Sequence, residues 1–210
     1  MHDVLILTIE AYQAMRRAGI AKRDWEENTF TVCLGDDYLR DLAYDNEYSI
    51  YITIRDKIHT PQMKQGKQPT IEAKEMDLSL YGSWERDYIK KRFVWEAKRI
   101  GDKRVDKRYT KLYSEYVHEA IYRFINREYA SGLDDAGVLG YVLAGQVSNI
   151  VTDINSTMGR VRKNKPLSRS NHLAHSAPIN GFQDKYHSHH TRTDKTIINL
   201  YHLFLTFDFN

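Results

Sequence analysis

The chain has 210 residues, of which 41% are hydrophobic and 28% charged, a balance that allows one compact domain over 1–210 with a real core. No apolar run approaches the ~18–20 residues of a membrane span, and Asp3 and Glu10 interrupt the apolar opening, so neither a spanning helix nor a signal peptide is expected. A net charge of +3 is too small to indicate a polyanion partner, and the single cysteine, Cys33, excludes an internal disulfide and points to a cytoplasmic protein.

Val4, Leu7, Ala11, Ala14 and Met15 recur near helical spacing, predicting an amphipathic helix over 3–18 that Gly19 ends. A second helix is expected after Asn28 or Thr29, carrying Val32, Leu39, Leu42 and Ala43, with Gly35 unfavourable inside it. YSIYITIR, 48–55, is rich in β-branched and aromatic residues and reads as a strand. Residues 59–70, with Pro61, Gly66 and Pro69, read as a loop. In 70–82, Met76, Leu78 and Leu80 alternate, so a second strand would turn Asp77, Ser79 and Tyr81 to its other face. KRFVWEAKRI, ending near 100, is the third strand.

A long helix is expected after Gly101, with Tyr109, Leu112, Tyr116, Ala120, Tyr122 and Phe124 on a broad face. VLGYVLAG, 138–145, is apolar on both faces, as suits a central strand. Residues 147–163 read as a helix. A polar stretch with His172, His175, His187, His189 and His190 reads as a mobile basic loop, and IINLYHLFLTFDF as a last strand in which His202 is an ordinary strand histidine. The predicted class is α/β, a central mixed sheet of four to five strands flanked by helices.

The charge is unevenly spread. Between Lys90 and Lys111 there are ten lysines and arginines against three acids, and between Arg160 and Lys195 eight against two. Clustering of this kind is what a phosphate-binding face requires, although a solvated basic surface has the same composition. Arg99, Lys103, Arg104, Arg160, Arg162 and Lys163 are the candidate nucleic-acid contacts. Tyrosines 109, 113, 116, 122 and 129 lie along the long helix, where packing on the sheet competes with base stacking. No phosphate-binding glycine loop of the GxxxxGK[ST] or GxGxxG type occurs, and no GxSxG. The histidines lack the cysteines that usually accompany structural zinc.

In period two, Val94, Glu96 and Lys98 share a face of the third strand, and Asp77 on the preceding strand can share it. Two carboxylates held close together repel unless a cation lies between them, and hard divalent ions choose oxygen ligands. A lysine beside such a site can stabilise charge developing on a phosphate or help to activate water. Asp77, Glu96 and Lys98 are therefore the candidate catalytic residues, with Asp77 and Glu96 as metal ligands.

Asp77 in KEMDLSL, followed by Glu96-Ala97-Lys98 in FVWEAKR within a helix-strand-strand-strand-helix-strand order, resembles the PD-(D/E)xK restriction-endonuclease-like superfamily. The resemblance covers about 28–146. It implies an αβββαβ core, Mg²⁺ or Mn²⁺ bound by Asp77, Glu96 and the Ala97 carbonyl, and phosphodiester hydrolysis assisted by Lys98, with DNA favoured over RNA. It also suggests an extra acid on the first core helix, Glu26 or Glu27, a glutamine after the fourth strand, Gln146, and a setting in bacterial or phage defence, with control by homo-oligomerisation, a regulatory partner or a ligand. Met76 stands where the family usually has proline. A second copy of the triplet, Glu72-Ala73-Lys74 with Asp56 upstream, competes; Glu96 is preferred because its strand is more apolar, follows an acid-bearing strand and runs into the long helix. The alternatives are an inactive nucleic-acid-binding or structural subunit of a larger complex, and a different enzyme built on the histidines.

Overall fold

The structure is a computed structural model that describes residues 2–46, 49–58, 65, 67, 74–82, 91–160 and 167–209. Four main helices cover a mixed sheet. Helix α1 spans His2–Ala18. Helix α2, 27–45, runs through an α-helical turn Glu27–Val32, a π-helical segment Cys33–Leu39 and a last turn Arg40–Asp45. Helix α3, 107–125, likewise contains a π-helical segment, Tyr116–Ile121. Helix α4 is Val147–Met158.

The strands are β1 Ile50–Ile58, β2 Lys74–Gly82, β3 Lys91–Ile100, β4 Asp135–Val142, β5 Ala174–His175, β6 Lys185–Thr191 and β7 Ile197–Thr206. They form one seven-stranded sheet in the order β1-β2-β3-β4-β7-β6-β5. The pairs β1·β2, β2·β3, β7·β6 and β6·β5 are antiparallel, whereas β3·β4 and β4·β7 are parallel. The class is α/β as expected, but the sheet exceeds the four to five strands predicted.

The extra strands come from the histidine-rich stretch, which is sheet and not a loop. Tyr186, Ser188 and His190 point inward from β6. Two of these are polar, so no apolar alternation marks the strand. Their burial is supported by hydrogen bonds: Ser188 Oγ lies 2.8 Å from His190 Nε2 and 2.9 Å from His202 Nε2, while His202 Nδ1 lies 2.8 Å from the Tyr116 hydroxyl. Burial holds His190 low, at about pKa 4, and His202 well below the ordinary histidine range, so both are neutral core residues. The strand role expected of His202 is the one it has.

Two apolar cores sandwich the sheet. One joins Val94, Val138 and Phe204 to α3 and α4; the other joins Phe93, Trp95, Leu139 and Tyr141 to α1 and α2. Central β4 feeds both, which is why 138–143 reads as apolar on both faces. The tyrosines of α3 at 113, 116 and 122 are buried, which is packing and not base stacking. Gly35 lies where α2 crosses β1: a Cβ there would come within 2.8 Å of the Ile54 side chain. The residue that disfavours helix in the sequence permits the helix to lie close on the sheet.

Helix α3 begins later than the sequence suggests because acids build the turn before it. Asp102 accepts from the Arg104 amide at 2.9 Å and from Asn149 at 2.8 Å, and Asp106 caps the helix by accepting from the Arg108 amide at 2.9 Å. Helix α2 begins slightly earlier than expected, with Glu27 in its first turn. No helix among the described residues is long and apolar enough to cross a membrane.

Candidate active site

The site forms where β2 parts from β3. Their pairing runs from Gly82↔Lys91 to Leu78↔Trp95 and stops. At the same level β1 and β2 pair Ile54↔Leu78 and then Asp56↔Met76, passing over Arg55 and Asp77, and Arg55 takes a positive φ of 54°. Met76 packs into the α3/α4 core, whereas Leu78 and Leu80 pack into the other. The uninterrupted alternation expected of 76–80 is thus corrected by an irregularity at Asp77, the kind of break that re-aims a side chain.

Beyond Trp95, two amides on the vacated edge of β3 need acceptors. The Ala97 amide donates to Asp77 Oδ2 at 2.7 Å, and the Arg99 amide donates to Glu27 Oε2 at 3.0 Å. Lys98 Nζ donates to Glu96 Oε1 at 2.8 Å and to Glu27 Oε1 at 3.0 Å. Asp77, Glu96 and Lys98, chosen from sequence, are therefore together, and Glu27 is the acid that joins them; Glu26 is exposed. Gln146 is the N-cap residue of α4 and does not line this cleft.

Charge within the cluster is unbalanced. Glu27, Asp77 and Glu96 surround one ammonium, Lys98. Glu96 is 2% exposed, and its Oε2 is buried with no hydrogen-bond partner. Burial pushes Glu96 up to about pKa 8 against the opposing pull of Lys98, and the Asp77 and Glu27 charges push the same way. Burial also raises Glu27, which Lys98 partly offsets. For Lys98, burial acts to lower the value, but Glu96, Glu27 and Asp77 together outweigh it and hold the amine protonated well above its ordinary range.

These groups line a cleft of about 380 Å³ with Arg55, Glu75, Glu119, Arg123 and Tyr129. Arg123 and Glu119 also line a larger groove of about 780 Å³ between α3 and α4, with Lys103, Asp153 and Arg160 on its walls. Sequence reasoning passed over Arg123, whose one signal is its position four residues after Glu119 on the helix that follows the Glu-x-Lys strand.

The predicted nucleic-acid contacts divide. Lys103 and Arg160 line the larger groove, Lys103 being paired with Asp153 at 2.7 Å. Arg104 is paired with Asp102 at 3.1 Å and Asp153 at 3.0 Å. Arg99 donates to the Trp25 carbonyl at 3.1 Å. Arg162 and Lys163 lie outside the described residues, as do Glu72 and Ala73 of the competing triplet. The acid proposed for that triplet, Asp56, is occupied by Arg92 at 2.8 Å and by the Tyr81 hydroxyl.

No protein-family model, no curated protein and no solved structure matches the chain. Nor do the described residues contain a group of three or more His, Cys, Asp or Glu side chains gathered closely enough to hold an ion unaided. Two carboxylates, Glu96 with its unpartnered buried oxygen and Asp77, line the same cleft. Magnesium-like ions keep several water ligands and commonly take only one or two protein carboxylates, so two acids with water and substrate oxygens suffice.

Proposed function

We propose that this chain is a metal-dependent nuclease that hydrolyses phosphodiester bonds, with DNA favoured over RNA. The observation that carries the reading is the buried, unpartnered Glu96 Oε2 beside Asp77 and the ammonium of Lys98. A carboxylate in that position has no reason to stay ionised unless a further cation joins it. Mg²⁺ or Mn²⁺ held by Asp77 and Glu96 would supply Lewis acidity and lower the pKa of bound water.

The chain's own groups divide the remaining work. Lys98, held protonated, serves as a cation that donates hydrogen bonds to a phosphoryl oxygen and not as a base. Glu27 fixes the ammonium and the Arg99 amide together, so the lysine is positioned before substrate arrives. Lys103 and Arg160 would contact the sugar-phosphate backbone along the larger groove, giving affinity without sequence choice. The succession α2-β1-β2-β3-α3-β4, with antiparallel, antiparallel and parallel pairing, is the order that the PD-(D/E)xK resemblance implies, and supports the reading.

A plasmid-nicking assay with Mg²⁺, Mn²⁺ or EDTA tests it on the wild type and on Glu96→Gln, Lys98→Ala and Glu72→Ala. Metal-dependent cutting lost in the first two variants and kept in the third is expected. A second reading, an inactive nucleic-acid-binding subunit, is favoured by the structural use of Asp77 and Glu27 as acceptors for β3 amides. Salt-sensitive DNA binding without cleavage under any metal would select that reading.

A further inference from the structure

The two clefts share Glu119 and Arg123. Arg123 stands in the last turn of α3 and is held from behind. Its Nη1 donates to the Tyr129 hydroxyl, its guanidinium carbon lies 5.4 Å from the Tyr129 ring centre, and its Nη2 lies 3.5 Å from Glu119 Oε2. In front, Nη1 approaches Glu96 Oε1 only to 4.0 Å, an ion pair too long to be a hydrogen bond. The side chain is 29% exposed, so it is seated yet reachable.

We propose that Arg123 is a catalytic residue that clamps the phosphate being cut, an inference that rests on the nuclease reading above. A scissile phosphate beside Glu96 would bring its negative oxygens against acids, and Lys98, which also offsets Glu96 and Glu27, leaves charge there for a second cation to meet. Among the described residues, other basic groups are held by partners of their own: Arg55 by Glu75 at 3.1 Å, Arg99 by the Trp25 carbonyl and Arg104 by Asp153. Arg123 has its weakest contact on the side facing Glu96. Its planar fork can span two phosphoryl oxygens at once, which an ammonium cannot. It also stands where a strand leaving the α3/α4 groove would enter the carboxylate cleft.

The test compares the wild type, Arg123→Lys and Arg123→Ala. Thermal melts establish that each folds, the lysine variant keeping the charge and the helix. In nicking at saturating Mg²⁺, kcat falls roughly a hundredfold in Arg123→Lys with KM little changed. In DNA binding with Ca²⁺ replacing Mg²⁺, the slope of log affinity against log salt flattens by about 0.9 in Arg123→Ala, the loss of one phosphate contact. Wild-type kcat in Arg123→Lys, or an unaltered salt slope in Arg123→Ala, overturns the clamp alone. Absence of cutting by the wild type with both Mg²⁺ and Mn²⁺ overturns the nuclease reading and the clamp with it, and is visible without any variant.

Discussion

Asp77 Oδ2 accepts a 2.7 Å hydrogen bond from the Ala97 amide, taking the place of a ladder partner at the point where β2 leaves β3. One carboxylate thereby closes the backbone of one strand and presents charge beside Glu96. The two roles separate by substitution. Asp77→Asn keeps an acceptor for the Ala97 amide and should leave unfolding in urea nearly unchanged while abolishing metal-dependent nicking. Asp77→Ala strands the amide and should also lose about 1–3 kcal/mol of stability. Equal stability losses in the two variants would show that charge, not the hydrogen bond, holds this edge.

Glu96 gives the protein a pH dependence with an unusual sign. Its folded value, raised to about 8, lies above the ordinary 4.5, so the folded chain retains a proton that the unfolded chain releases. Its contribution to stability is complete below about 4.5 and is lost as the pH rises through about 8. In EDTA the melting temperature should therefore fall between pH 6 and 9 by more in the wild type than in Glu96→Gln. Added Mg²⁺ should reverse the fall, because an ion favours the deprotonated carboxylate. A wild-type profile as flat as that of the variant would remove Glu96 as the titrating group.

Among the described residues, Lys98 is the one ammonium beside Glu27 and Glu96. Above about pH 8, where Glu96 is ionised in the wild type, Lys98→Ala removes the cation that offsets it, and in EDTA it should lower unfolding free energy by about 3–5 kcal/mol. Mg²⁺ should restore more stability to this variant than to the wild type, measured in paired denaturant titrations. Equal responses to the ion would mean that it is seated elsewhere.

Gly35→Ala tests how α2 is seated. The added methyl would lie 2.8 Å from Ile54 Cδ1 and 2.9 Å from its Cγ1, so helix or side chain must shift. A loss of about 1–3 kcal/mol is expected, although alanine favours helix over glycine. Because α2 carries Glu27, nicking should also weaken in this variant. A gain in stability would mean that Ile54 adopts another rotamer without strain.

Much of this architecture is written locally. Apolar runs rich in aromatic and β-branched residues mark β3 and β7, helical spacing marks α1 and α4, and the acid-then-Glu-x-Lys pattern picks out Asp77, Glu96 and Lys98, with Asp56, Glu72 and Lys74 as its competitor. The strand β6 escapes because hydrogen-bonded Ser188 and His190 occupy inward positions that apolar residues usually mark. Arg123 escapes because nothing in the identity of a surface-type arginine on a helix says that its guanidinium will face a buried glutamate 27 residues away.

Outside β5 and β6, sequence alone indicated which segments would be strands or helices, since periodicity and residue size act over a few neighbours, and it put forward Asp77, Glu96 and Lys98 as groups that could meet. Only the tertiary structure decided that Glu27 would join them, that Asp56 would be taken by Arg92 instead, and that Lys103 and Arg104 would be partly neutralised by Asp153. The physical reason is range. Backbone hydrogen-bond demands at the parted edge of β3, and the charge that burial leaves unbalanced, arise only when strands and helices distant in the chain are packed together.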